Sequence, residues 1–273
     1  MKHSYFLLAL IFLSLTAAAQ QKPDTVFFEN FNGKTLNRAK WNVEVTGHTV
    51  NNEQQAYIDS ASVLAVANGL LNIKAVYHPG YTSNMQKQYD FLSGRVNTRG
   101  KFEFTYGTIS ARLKMTAGAG LWPAFWALGE GKWPDCGEID IMETVGDSSW
   151  VSHALHGPAY FGNTPFTHRS FFPKNMDVSQ WHTYTVSWTA DKLIFSVDGT
   201  VTYTVTKDMI EKYGRWAFDN PKYIILNFAL GGGYPHGVNK IDTPYFGISQ
   251  SSVDKIKAGK AEFLVDWVLV TKN

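Results

Sequence analysis

The sequence predicts an all-β protein, a sandwich of two antiparallel sheets. Three observations support this: short runs of β-branched and aromatic residues recur along the chain, turn residues separate them, and helical periodicity is scarce. Successive strands without interleaved helices bury their apolar faces by packing one sheet on another. The 273 residues suffice for one large domain with a substantial core.

The predicted strands are of two kinds. Half-exposed strands alternate polar and apolar side chains, because successive side chains point to opposite faces. Strands that are apolar on both faces are expected to lie centrally, between the sheets or under a binding groove. The alternating strands are residues 101–115, His182–Trp188, 193–197, 201–205 and 261–270, and the apolar ones are residues 121–128 and 223–230.

Turns and short helices complete the predicted elements. Asp198 and Gly199 stand between two short strands and are typical of a hairpin turn. Residues 207–213 and 252–258 are predicted to form short helices. Three glycines at 231–233 follow a central strand. They either let the backbone approach a neighbour or ligand closely or form a flexible turn, and both interpretations stay open.

Residues 1–19 are predicted to be a secretory signal peptide. Lys2 and His3 precede an apolar run, and three alanines follow it with a predicted cut after Ala19. The apolar run is shorter than the roughly 20 residues of a membrane-spanning helix, and no other stretch is long enough. We therefore expect a bacterial protein exported to the periplasm or medium, with residues 20–273 as a single domain.

Composition argues against nucleic-acid binding. The formal net charge is +2 and no basic cluster is present, so nucleic acid is not an expected partner. The nine tryptophans suit both a large core and sugar rings, which have apolar faces; we assign most of them to the core. Cys136 is the single cysteine, so no intrachain disulfide is possible, and a buried or half-buried thiol is expected.

The most informative motif is Gly-Glu-Ile-Asp-Ile-Met-Glu at residues 137–143. On a regular strand Glu138 and Asp140 share one face, and Glu143 lies on the other with the isoleucines. Burying those isoleucines would then bury an unpaired charge, which is costly. A β-bulge near Met142 inserts one residue and returns Glu143 to the face of the other two carboxylates.

Two glutamates on one face fit the hydrolysis of a glycosidic bond. In a retaining glycosidase one carboxylate attacks the anomeric carbon, and the other, roughly 5–5.5 Å away, protonates the leaving oxygen and then activates water. By chain order we assign Glu138 as nucleophile and Glu143 as acid/base. Asp140 would orient one glutamate and help keep the acid protonated. A solvated acidic edge and a divalent-metal site are the alternatives.

The chain resembles glycoside hydrolase family 16, specifically its laminarinase-like endo-β-1,3(4)-glucanases. The resemblance implies a β-jelly-roll sandwich of the concanavalin A-like kind with an open substrate cleft on the concave sheet, and endo-cleavage of β-glucan with retention. The motifs that carry it are residues 51–55 (NNEQQ), 93–99 (SGRVNTR), 106–107 (YG), Leu121–Gly129 (LWPAFWALG), 137–143 (GEIDIME), 156–158 (HGP) and 265–268 (VDWV).

The resemblance also implies a set of substrate-binding residues. Trp122 and Trp126 would line the cleft, with Trp122 as the better sugar platform. Arg95 and Asn52 match positions that hydrogen-bond sugars; their alternatives are a surface ion pair and a turn residue, respectively. His153 would face the cleft, with a core histidine as its alternative.

Three further positions carry weaker expectations. His156 is expected to shape a loop, and His236 and Asn239 are loop residues without a role. The loop at residues 231–239 is longer and more polar than usual in the family.

The exact linkage therefore stays open between β-1,3-glucan, mixed-linkage glucan as in lichenases, and galactan as in agarases. A non-catalytic lectin-like relative is the remote alternative, although such relatives typically lose the glutamates that this chain keeps.

The resemblance implies a structural calcium ion far from the chemistry. Glu29, Gly69 and Asp266 match the positions of its ligands in the family, and carboxylate and carbonyl oxygens suit Ca²⁺. The alternative is a capped or solvated set of acids. No cofactor is expected for catalysis, and the expected partner is a β-glucan polysaccharide bound by a monomer.

Overall fold

A computed structural model describes residues 24–46 and 50–272. The predicted signal peptide lies outside these residues. Two antiparallel sheets of eight and seven strands enclose the core, and a third sheet of three strands adjoins them. The predicted sandwich of antiparallel sheets is thereby confirmed. None of the helices in the described part of the chain is long and apolar enough to cross a membrane.

The first sheet has the order β16-β15-β14-β9-β18-β5-β4, with β1 paired to β18. Its strands are β1 (Asp24–Glu29), β4 (Leu64–Ala67), β5 (Leu70–Lys74), β9 (Gly107–Met115), β14 (His182–Trp188), β15 (Lys192–Val197), β16 (Thr200–Thr206) and β18 (Glu262–Lys272).

The second sheet has the order β13-β12-β11-β10-β17-β8-β2. Its strands are β2 (Asn42–Val43), β8 (Arg95–Asn97), β10 (Leu121–Gly129), β11 (Glu138–Glu143), β12 (Trp150–His156), β13 (Thr167–Phe171) and β17 (Lys222–Leu230). The third sheet contains β3 (Gln55–Tyr57), β6 (Val76–Thr82) and β7 (Gln88–Ser93), and the helices are α1 (Lys207–Ile210), α2 (Gly233–Asn239) and α3 (Gln250–Lys257).

The burial patterns of the two large sheets differ, as their sequence patterns predict. In β9 and β14 every second residue is buried, since one face packs on the core and the other meets solvent. All nine residues of β17 are buried. This strand pairs with β10 in the middle of the second sheet, so the prediction of a central, doubly covered strand is confirmed.

One predicted strand is shorter in the structure. Residues 101–106 are not part of β9, because Tyr106 has φ 61° and Gly107 has φ 128°, outside the extended region. Gly107 is required there, since a Cβ atom would lie 2.4 Å from the carbonyl oxygen of Thr271. The hairpin turn is confirmed, with φ 51° at Asp198 and 79° at Gly199.

The glycines after β17 make close backbone contacts, which decides between the two interpretations. A Cβ atom at Gly231 would lie 2.3 Å from the carbonyl oxygen of Phe246, and one at Gly232 would lie 2.7 Å from that of Asn51. Helix α2 follows, where the sequence predicted a loop. Its glycines and Pro235 hide any helical pattern, although proline is tolerated in a first helical turn.

Candidate active site

Strand β11 carries the predicted bulge. Phe125 of β10 faces Met142, whereas the next residue, Trp126, faces Asp140, so Ile141 is the extra residue. The bulge beside Met142 is therefore confirmed. Its effect is the predicted one, because Glu138, Asp140 and Glu143 all line one cleft of about 250 Å³ on the second sheet.

The bulge leaves the carbonyl group of Ile141 without a partner in the sheet ladder, and His153 supplies one. Its Nδ1 lies 2.7 Å from that oxygen and its Nε2 lies 2.9 Å from Oγ1 of Thr202. A carbonyl can only accept, so Nδ1 carries the hydrogen and Nε2 accepts from the hydroxyl. Burial lowers the pKa of His153 to about 4, which keeps the ring neutral.

The expectation that His153 faces the cleft is wrong. The side chain is fully buried and its ring stacks on Phe195 of the first sheet. His156, three residues further on and hence on the opposite face of β12, contacts two carboxylates of the cleft, Glu138 and Asp140. His156 was expected to shape a loop; in the structure it ends β12 and makes these contacts.

Glu143 is buried against aromatic side chains. The indole Nε1 of Trp122 donates a hydrogen bond of 2.7 Å to its Oε1. The ring of Tyr234, from α2, meets Trp122 edge to face at 5.4 Å, and the Tyr234 hydroxyl lies 3.0 Å from Oγ of Ser152. Burial, followed by the negative charge of Asp140, raises the pKa of Glu143 well above its usual range.

Glu138 and Asp140 share a histidine. Nε2 of His156 lies 3.3 Å from Oδ2 of Asp140 and 3.8 Å from Oε1 of Glu138. The indole Nε1 of Trp133 donates to Oε2 of Glu138 at 2.9 Å. Burial raises the pKa of both carboxyls to about 8, and for Glu138 the charge of Asp140 adds to it. The pair therefore holds a proton at neutral pH, since two like charges so close resist joint ionisation.

Trp126 and Arg95 also line the cleft. The Arg95 guanidinium lies over the Trp126 ring at 5.0 Å, and its Nε is 2.9 Å from Oε2 of Glu44. Nε1 of Trp126 donates to Oδ1 of Asn227 at 2.7 Å. Trp122, Trp126 and Arg95 thus line the cleft as predicted. Arg95 also makes the ion pair that was its alternative interpretation.

Asn52 stands outside the cleft lining. It is an exposed turn residue with φ 58°, and its carbonyl oxygen accepts from Gln54. Its neighbours Asn51 and Glu53 line the cleft in its place. The structure supports the alternative interpretation of Asn52 as a turn residue.

Sequence reasoning missed several side chains of the site. These come from segments far apart along the chain, and only the pairing of strands brings them together. They are Glu53, Tyr57, Trp133, His156, Asn227 and Tyr234. Trp133 could have been predicted from the sequence, because it precedes the motif at residues 137–143 by only a few residues. A larger cavity of about 740 Å³, lined by residues such as Asp147, Lys255 and Glu262, lies elsewhere and has no aromatic lining.

Two groups of side chains bear on metal binding. Glu138, Asp140 and His156 offer three ligand atoms within 4.8 Å of one another. The predicted calcium positions fit a cation in part. Glu29 is buried and its Oε2 accepts no hydrogen bond from the described residues, although Nζ of Lys40 lies 3.4 Å away. The Asp266 carboxylate is already paired with Arg112 at 2.6 Å.

A family model described as "Glycosyl hydrolases family 16" matches residues 37–240. The chain belongs to this family. It is 33% identical over 240 residues to "Glucan endo-1,3-beta-glucosidase A1" of Niallia circulans, a match that covers 78% of this chain and 34% of the relative. It is 30% identical to "Beta-glucanase" of Rhodothermus marinus, covering 85% of this chain and 78% of the relative.

Solved structures of the family have the same fold. The laminarinase catalytic domain from Thermotoga maritima superposes with a TM-score of 0.79 at 30% identity, covering 93% of this chain and 99% of that domain. The jelly-roll expectation is thus confirmed for this family 16 chain. The cleft that the three carboxylates line lies on the second sheet, which carries the bulged strand.

Proposed function

We propose that this family 16 protein is a retaining endo-glycosidase that hydrolyses internal β-1,3 or mixed β-1,3/1,4 glucosidic bonds of β-glucans. The observation that carries the proposal is the bulge, which sets Glu138, Asp140 and Glu143 on one face within an aromatic-lined cleft. The names of the two curated relatives point to the same substrate class. The predicted leader supports export from the cell.

In the first step, a carboxylate oxygen of Glu138 attacks the anomeric carbon of the sugar. The bond from that carbon to the glycosidic oxygen breaks, and Glu143 gives its proton to the leaving oxygen. Burial supports Glu143 in this role, since it raises the pKa of this carboxyl and so favours the protonated form that an acid catalyst needs. The Glu138–Asp140 pair shares a proton at neutral pH, and Glu138 attacks from the state in which Asp140 carries it.

In the second step, water replaces the departed sugar. Glu143, now ionised, takes a proton from the water, whose oxygen attacks the anomeric carbon and breaks its bond to Glu138. Both carboxyl groups return to their starting states, and the anomeric configuration is retained. Trp133 and Trp122 support the two glutamates through their indole N–H groups.

Glu138→Gln tests the proposal, because an amide is a poor nucleophile. We expect turnover of laminarin and of mixed-linkage barley glucan to fall by more than about 10³-fold, while affinity for laminari-oligosaccharides persists. Glu211→Gln is the matched control, since this glutamate is half exposed at the C-cap of α1 and does not line the cleft. It should leave both properties unchanged.

Product analysis separates the alternatives. Release of oligosaccharides from agarose but neither glucan would favour a galactan hydrolase. Glucan binding without any product from the wild-type protein would favour the lectin-like alternative. Undiminished turnover in Glu138→Gln would reject the assignment of the nucleophile.

A further inference from the structure

Three side chains at the floor of the cleft have the spacing of a metal site. Nε2 of His156 is 3.3 Å from Oδ2 of Asp140 and 3.8 Å from Oε1 of Glu138. A tetrahedral Zn²⁺ with bonds of about 2.0–2.2 Å holds its ligand atoms roughly 3.3–3.6 Å apart. All three atoms lie within 4.8 Å of one another, so side-chain adjustments would let a cation bind between them.

A second observation points to a ligand at this place. Oδ2 of Asp140 is buried and lacks a hydrogen bond from any residue in the described part of the chain. The side chain is only 5% exposed, so solvent does little to compensate for the missing partner. Nε2 of His156 lies 3.3 Å away without forming a well-aligned hydrogen bond, so this buried oxygen is incompletely compensated, and a cation bound to it would remove that cost.

We propose that Glu138, Asp140 and His156 bind a Zn²⁺-class divalent cation. Two carboxylate oxygens and one imidazole nitrogen suit Zn²⁺ better than Ca²⁺ or Mg²⁺, which prefer all-oxygen sites with more ligands. Glu138 and His156 keep 17% and 14% of their side chains exposed to the cleft, which gives an ion an entry path. A fourth position remains for water.

The bound ion would also act on the reaction, a consequence that rests on the proposed function. Its bond to Glu138 occupies the carboxylate that attacks the sugar, and its water takes the place of the substrate. Zn²⁺ should therefore inhibit glucan hydrolysis in competition with substrate, whereas Ca²⁺ and Mg²⁺ should not.

Calorimetric titration of the metal-free protein with ZnCl₂ tests the site without any assay of activity. We expect one binding event that weakens at least about 10-fold in His156→Gln, the loss typical of removing a metal ligand or its support. His78→Gln is the matched control, since this histidine is exposed on β6. It should bind Zn²⁺ as the wild-type protein does. Circular dichroism verifies that each variant is folded.

Asp140→Asn is the second variant, used in the same titration if His156→Gln does not fold. Unchanged Zn²⁺ affinity in the folded variant, or equal affinity for Mg²⁺, would overturn the site. Zn²⁺ binding by a protein that hydrolyses no glucan would reject the proposed function and leave the site standing. Glucan hydrolysis with no Zn²⁺ binding would do the reverse.

Discussion

Burial shifts the ionisable side chains of the cleft away from their charged forms. It raises the pKa of Glu138 and Asp140 to about 8 and lowers that of His153 to about 4. The Glu138–Asp140 pair can therefore hold a proton at neutral pH. Because burial disfavours the ionised forms, ionisation of these carboxyl groups at higher pH lowers the stability of the folded state.

Glu138→Gln should remove the part of this pH-dependent loss of stability that comes from Glu138. The folded-state pKa of Glu138, about 8, exceeds its ordinary value of 4.5. The folded protein thus binds more protons between these values, and its stability falls as pH rises through them. The glutamine variant lacks this loss, so its melting temperature should match the wild type near pH 4.5 and exceed it by a few degrees at pH 8.

Thermal unfolding at both pH values gives the measurement, and Glu211→Gln supplies the exposed control. In Glu138→Gln the introduced amide oxygen would still accept the hydrogen bond from Trp133, so that contact is kept. A difference that is equal at the two pH values would mean that the titration of Glu138 does not contribute.

At the scale of the element, the bulge of β11 depends on a side chain from the next strand. His153 donates to the carbonyl group of Ile141, which the bulge takes out of the ladder. In this respect His153 is a positioning residue for Glu143, two residues beyond Ile141. Although His153 lies outside the cleft, we expect its substitution to affect catalysis.

His153→Leu should therefore affect both stability and turnover. Leaving the Ile141 carbonyl unpaired costs about 1–3 kcal/mol of unfolding free energy, and a shifted bulge should lower kcat more than it raises KM. His182→Leu is the matched control, a buried histidine of β14 in the other sheet. It should lower stability but leave kcat of the folded protein unchanged. Equal kcat in the two variants would contradict the positioning role.

Strand alternation predicted the bulge but could not choose between the two histidines of β12. The bulge follows from residues 137–143 alone, because burying the isoleucines with Glu143 would be costly. His153 and His156 differ by three positions, so they lie on opposite faces. Which face meets the cleft depends on the pairing of Glu138 with His156, and β12 is buried almost throughout, so its own pattern gives no direction.

For the molecule as a whole, the sequence predicted the sandwich and most of its long strands. These depend on local patterns, such as the period of two in β14 and the apolar runs of β10 and β17. Helix α2 and the cleft wall from Glu53 to Tyr57 depend on contacts between distant segments, such as Gly232 against Asn51. No local pattern records those contacts.

The structural calcium ion stays a prediction, and its effect belongs to the whole fold. A ligand that binds only the folded state stabilises it by about 2.7 kcal/mol at one hundred times its Kd. A chelator should then lower the melting temperature by roughly 5–10 °C. Glu29→Gln, which alters the buried carboxylate, should abolish that response. Identical melting curves of the wild-type protein with and without chelator would rule the ion out.

Lys222 and Cys136 provide a way to measure local opening of the turn that precedes β11. The Lys222 ammonium is fully buried and donates to the carbonyl oxygens of Cys136 and Ala217, fastening the turn that leads from Trp133 into β11. Cys136 is the only thiol of the chain and is buried as well. A thiol reagent can reach it only while that turn is detached, so the rate of labelling measures how often the entrance to the catalytic strand opens.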